Sequence, residues 1–157
     1  MAKVLAINEQ ELRAVVLKFR ALGELAKPRE RKAILRKGAK ILEAAAKANV
    51  PIAAEPYTMY RRGEAVASIL PGFVRDAMQV RNLRKSPDLW VGIQKLSGIL
   101  AFWAQWLEFG ATNRDGSKRE GFAFMRRAVA STKAAVIAQI ISDTEKAIAK
   151  ILKRIKN

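Results

Sequence analysis

Apolar residues recur along most of this chain at the three- and four-residue steps of amphipathic helices, and the pattern changes near its middle. Asn8 followed by Glu11 forms a capping box, and Leu12, Val15, Val16, Phe19 and Leu22 then share one face. This predicts a first helix over 8–24, ending near Gly23. Lys27-Pro28 restarts the chain, because proline is favoured in a first helical turn. Ile34, Ile41, Leu42 and Ala45 carry an apolar face from there toward Val50-Pro51. Between Pro51 and Gly72 the period is lost among prolines and glycines, which predicts a long connecting loop with a short helix over Glu64–Leu70.

Two stretches, Phe73–Arg81 and Leu89–Ile93, have the alternation and β-prone residues of strands. Arg84-Lys85-Ser86-Pro87-Asp88 supplies a turn between them, so an antiparallel hairpin with an exposed edge is expected. Ile99, Trp103, Trp106 and Leu107 return to helical spacing, with Gly110 placed as a left-handed cap. Two tryptophans on one face serve either a core or an interface buried on assembly. A polar loop, Thr112–Gly121, leads to Phe122-Ala123-Phe124-Met125, which opens the last helix. There Val129, Val136, Ile140, Thr144, Ile148, Ile151 and Ile155 hold one face for about seven turns, flanked by Ile137, Ile141 and Leu152. The fold class expected is α+β: a small antiparallel sheet packed against long amphipathic helices, in a single domain over 1–157.

Charge adds the next constraint. Lys and Arg number 30 against 14 Asp and Glu, a net charge of +16 spread along the whole chain. Such a field calls for an anionic neighbour, which nucleic acid, an acidic protein or an anionic membrane would each provide. Arg29, Lys32, Arg36, Lys40 and Lys47 make a basic stripe on the second helix, either a solvated face or a surface turned to DNA or an acidic neighbour. Arg114, Lys118 and Arg119 give the polar loop a basic edge with the same two readings. With no Cys and no His, the chain has no thiolate and none of the commonest general base or metal ligand. The Glu9/Glu11 and Asp143/Glu145 pairs occupy ordinary helix-surface positions. No nucleophile–base pair, ligand cluster or phosphate loop is present, so catalysis, metals and cofactors are not expected. The start of the chain is a poor secretory signal, and the longest apolar run, Gly98–Leu107, is too short to span a bilayer.

Glu108 stands out among the carboxylates because Trp106, Leu107 and Phe109 surround it, and a carboxylate there is costly to bury unpaired. It is expected either to face solvent or to accept hydrogen bonds from Arg126 and from free N–H groups at the start of the last helix. Phe122, Phe124 and Met125 are expected to pack under that helix.

Several of these segments occur in a recognisable order: Asn49-Val50-Pro51, then Pro71-Gly72-Phe73-Val74-Arg75-Asp76-Ala77-Met78, Val91-Gly92, Glu108-Phe109-Gly110 and Phe124-Met125-Arg126. In order and approximate spacing the chain resembles the tail-completion, or neck, family of long-tailed bacteriophages from Arg29 to its C-terminus. Ala111 intervenes where that family places Thr directly after Glu-Phe-Gly, and Ala123 and Arg127 stand where it often has Pro. Loss of proline there predicts a last helix that begins earlier than in relatives. Residues 8–24 lie outside the resemblance, as an addition to a core over 28–157.

The resemblance implies a structural virion protein without catalysis, assembled in the host cytoplasm. It implies a homo-oligomeric ring, six-fold, that completes the tail or its joint with the head, next to head-connector and tail-terminator or tail-tube proteins, with DNA leaving through the ring. Trp103, Trp106, Glu108, Phe109, Gly110, Phe124, Met125 and Arg126 are the interface and structural candidates, and the basic stripe and loop the DNA- or lumen-facing ones. A basic nucleic-acid-binding module accounts for the charge equally well, but the chain has no helix-turn-helix, zinc or RNA-recognition signature.

Overall fold

A computed structural model describes residues 9–25, 27–61, 63–84, 86, 88–93, 98–112 and 115–156. Its elements are α1 (Glu9–Leu25), α2 (Pro28–Asn49), β1 (Tyr57–Arg61), β2 (Glu64–Ile69), α3 (Phe73–Asp76), β3 (Met78–Asn82), β4 (Leu89–Ile93), α4 (Gly98–Phe109), β5 (Gly110–Thr112), β6 (Lys118–Glu120) and α5 (Phe124–Lys156). The fold is α+β, with long helices and three separate antiparallel hairpins, β1–β2, β3–β4 and β5–β6. Asn8, and with it the capping box, lies outside the described residues.

The 33-residue helix α5 is the axis, about 50 Å long at 1.5 Å per residue. α2 runs antiparallel to it: Ala46 and Val50 meet Phe124 and Ala128, Gly38 lies under Val136 and Ile140, and Lys37 reaches Asp143 at 2.8 Å. Small residues are buried at this crossing because they let the two backbones approach. A methyl group on Gly38 would already stand 3.2 Å from both Val136 and Ile140. α1 packs near the C-terminal part of α5, with Lys18 and Ala21 beside Ile148 and Leu152. The break at Lys27-Pro28 separates α1 from α2. Val74 and Met78 close the core between α2 and α5.

Several sequence expectations change. The segment over Pro51–Gly72 is no loop with a helix over Glu64–Leu70; it contains the β1–β2 hairpin, whose register shifts between Met59 and Tyr60. Aromatic and β-branched residues (Tyr57, Thr58, Tyr60, Val66, Ile69) outweigh the flanking prolines, and Gly63 takes the positive φ of 88° that so short a connection requires. The strand expected over Phe73–Arg81 begins only at Met78. Gly72, at φ 81°, starts the single turn α3, closed by Asp76 N–H to the Gly72 carbonyl at 2.9 Å and Ala77 N–H to that of Phe73 at 3.1 Å. The hairpin itself is as expected, with Met78 opposite Ile93 and Asn82 opposite Leu89.

The polar loop Thr112–Gly121 is mostly the β5–β6 hairpin, turned by Asp115, which accepts the Ser117 N–H at 2.9 Å and its hydroxyl at 2.6 Å. These two bonds hold the Asp115 carboxyl below its ordinary pKa. On α5 most of the expected apolar face is turned inward, with Ile151 buried and Val136, Ile140, Thr144 and Ile148 half-buried; Val129 is exposed while the neighbouring Ala128 is fully buried, and the flanking Ile137 and Ile141 also face solvent. The side chain of Ile155 lies outside the described residues.

Candidate assembly site

The segments joining α4 to α5 form a compact crossing. α4 ends in Gly110 at φ 85°, as its position in the sequence suggests, and the chain returns through β6 to Gly121. The two glycines face each other at the point where the strands meet. A methyl group on Gly121 would lie 2.5 Å from both the Glu108 carbonyl oxygen and the Gly110 nitrogen, and one on Gly110 would strike the Arg119 carbonyl. Both positions exclude any side chain. The sequence marks Gly110 through its helix end; Gly121 is recognisable only once the return strand is known.

Glu108 ties this crossing together. It is 6% exposed and its carboxylate accepts the N–H groups of Met125 at 2.8 Å and Arg126 at 3.2 Å, the free donors of the first turn of α5. The Arg126 side chain adds an ion pair, Nε to Oε1 at 3.2 Å, and its Nη2 donates to the Glu108 carbonyl at 3.0 Å. Phe122 N–H and Ala123 N–H close onto the Leu107 and Glu108 carbonyls at 2.7 and 3.2 Å. The unsatisfied carbonyls of one helix end and the unsatisfied N–H groups of the next helix start thus complete one another. A negative charge at the positive end of α5 adds further stabilisation. The solvent-facing alternative for Glu108 does not occur.

Ala123 carries the conformational cost of this join. Its φ of 51° is a left-handed value that costs a non-glycine residue about 1–2 kcal/mol. It also halts the helix, so α5 starts at Phe124 and no earlier. Proline, held near −65°, could not occupy this backbone conformation.

Above the join the aromatic residues separate into two groups. Phe124 is 2% exposed and anchors the core, with Met125 packed against it. Phe122 and Trp106 are 44% and 40% exposed, so Phe122 does not pack under the helix and Trp106 is not core. Phe109 projects into solvent with the Arg126 guanidinium 5.4 Å from its ring centre. The side chain of Trp103 lies outside the described residues. Trp106, Leu107 and Phe122 form one wall of a cavity of about 570 Å³; Pro51, Ile52, Tyr57, Ile69, Leu70, Pro71 and Phe73 form much of the rest, and Arg119 is its one charged lining residue. Ile52, Tyr57 and Leu70 are each more than half exposed. The β1–β2 hairpin meets the body of the domain at this open aromatic groove. Sequence periodicity gives no hint of it, since its walls come from four separate segments.

Most of the basic stripe on α2 is engaged within the chain. Lys32 donates to the Leu83 carbonyl at 3.2 Å and Arg36 to Asn82 Oδ1 at 3.0 Å, pinning the β3–β4 turn against α2. Lys40 and Lys47 flank Glu43 at 2.6 and 2.9 Å. Burial alone would raise the Glu43 pKa, but hydrogen bonds and charge from these two lysines override it and hold the carboxyl below its ordinary value. Asp143 is likewise held low, first by the Lys37 ammonium and then by the Gln139 amide. Arg29 is exposed, as are Lys118 and Arg119 on β6. Arg114 lies outside the described residues. Among the described residues no group of acidic side chains is arranged to hold a metal, and no helix is long and apolar enough to cross a membrane.

In comparisons with models of protein families, with curated proteins and with solved structures, nothing matches the chain.

Proposed function

We propose that this chain is a structural protein of the neck or tail of a long-tailed bacteriophage virion. Its copies form a homo-oligomeric ring, taken as six-fold, that completes the tail or its joint with the head and surrounds the exiting DNA. Head-connector and tail-terminator or tail-tube proteins are the neighbours this reading supplies. The observation that carries it is the Glu108 clasp. The Glu-Phe-Gly segment and the Phe-Met-Arg helix start, which lead the resemblance, are directly bonded to each other here. The other segments of the resemblance also converge, since Val50, Val74, Met78 and Phe124 share one core. An open apolar groove on a chain this basic suits a subunit that is covered on assembly.

The nucleic-acid-binding alternative draws on the same charge. It is weakened because four of the five stripe cations hold Glu43 and the β3–β4 hairpin. Quantitative mass spectrometry of purified virions produced by the genome encoding this chain tests the proposal. The expected result is a copy number comparable with that of the other neck proteins. Absence of the chain from full, tailed particles would sink it.

A further inference from the structure

The two long helices of this basic chain dispose of their cations differently. On α2 a carboxylate, Glu43, stands between Lys40 and Lys47 and holds both. In the C-terminal half of α5, Lys146, Lys150, Lys153 and Arg154 fall at i, i+4, i+7 and i+8, on one face of the helix. All four are exposed, and none takes part in an ion pair among the described residues. Like charges four residues apart weaken a helix. The helix dipole favours cations only in the last turn, and Lys146 and Lys150 precede it.

α1 brings a fifth cation to this band, because Arg20 lines one cleft with Glu24, Ile151 and Arg154. Arg20 is likewise exposed and outside any ion pair among the described residues. The carboxylates that border the band are already held, Glu24 by Lys27 and Asp143 by Lys37. Glu145 lies to one side of it, with Ile148 and Ala149 at the positions three and four residues on where a helical ion pair would form.

We propose that this band binds the phosphate backbone of duplex nucleic acid without reading its sequence. A helix that lies on a membrane sets apolar side chains beside its cations, and a protein interface buries an apolar centre and is poor in lysine. Ile137 and Ile141, exposed on α5, stand nine residues from Lys146 and Lys150, about two and a half turns, and so point the opposite way. α5 has no aromatic residue after Phe124 on which an unpaired base could stack. Lysine and arginine alone remain, which is the chemistry of phosphate contact. The row from Lys146 to Arg154 is about 12 Å long, over which a duplex presents about seven phosphate charges. Arg20 and Arg154, from two helices at one cleft, suit a bidentate hold on a single phosphate. The contact rests on this free charge and not on the virion reading, which would only say which duplex lies there.

The test uses the full chain and a fluorescent DNA duplex of about 20 base pairs. Anisotropy between about 50 and 200 mM salt is expected to give a log–log salt slope of about −4 to −5, as five phosphate contacts require, with equal affinity for duplexes of unrelated sequence. Lys150→Gln combined with Arg154→Gln is expected to weaken binding roughly tenfold and to flatten the slope by about 2. Arg127→Gln combined with Lys133→Gln removes the same charge from the other end of α5, and is expected to change affinity by less than about twofold. Both variants are expected to keep the far-UV circular dichroism of the natural chain. Equal losses in the two variants would reduce the band to general charge and overturn the proposal. So would a duplex left unbound at about 100 µM chain in the lower salt, tighter binding of a single strand than of the duplex, or binding to phosphatidylserine vesicles without binding to the duplex. None of these results bears on whether the chain is present in virions, so the two proposals fail separately.

Discussion

The two ends of α5 carry similar apolar residues in different surroundings. At its N-terminal end, α2, α3, β3 and β4 cover the helix, Phe124 and Ala128 are sealed, and Glu108 fills the first turn. At its C-terminal end, α1 is the one described helix beside it, and two helices crossing alone cannot cover both their faces. Ile151 and Ala21 are buried between them while Phe19 and Leu22 remain in water. An amphipathic period therefore identifies a face that needs a partner; whether the same chain supplies that partner depends on how many elements converge there.

If the two ends differ in this way, equal substitutions should have unequal effects. Phe124→Ala should destabilise by about 3–5 kcal/mol, read as a fall in the urea midpoint, whereas Phe19→Ala should leave the monomer midpoint within about 0.5 kcal/mol. Equal losses would erase the distinction. Ala123→Pro should cost about 3 kcal/mol or more, since it imposes the wrong φ and removes the N–H that meets the Glu108 carbonyl. A variant as stable as the parent would show that the backbone here accommodates proline. Ala123→Gly should act in the opposite direction and raise the midpoint by about 1 kcal/mol, through relief of the left-handed strain.

Glu108→Gln keeps the shape of the clasp but removes its charge, so a loss of about 1–3 kcal/mol is expected. An unchanged unfolding midpoint would mean that the clasp contributes nothing to stability. The smallest effect is that of acid. Glu43 and Asp143 both have folded pKa values below their ordinary 4.5 and 3.8. Their stabilisation is thus complete above those values and disappears as pH falls through the lower, folded ones. Urea midpoints should decline below about pH 4.5, and Asp143→Asn should flatten the lower part of that decline.

Much of the helical frame is legible in the residues. The restart at Pro28, the cap at Gly110, the strand at Leu89–Ile93 and the terminal helix follow from local conformational preference and period, which act over a few residues. The clasp was also within reach, because a carboxylate set among Trp106, Leu107 and Phe109 requires donors, and a helix start downstream offers them. What local preference misassigned is the β1–β2 hairpin, where alternation is imperfect and prolines obscure it, and one position at the start of α5, where closeness to α2 favoured Ala128 over Val129.

The amino-acid sequence by itself determined the α+β class, the basic charge, the lack of thiol and imidazole chemistry, and the existence of one apolar face per long helix. Those properties reside in single residues or in their neighbours along the chain. Only the tertiary structure decided that the basic stripe of α2 is largely spent on Glu43 and on the β3–β4 turn. The same holds for the pairing of Gly110 with Gly121 and for the exposure of Phe19 and the aromatic groove. Each of these depends on which distant segments come within a few ångströms of one another, and local sequence does not encode that distance.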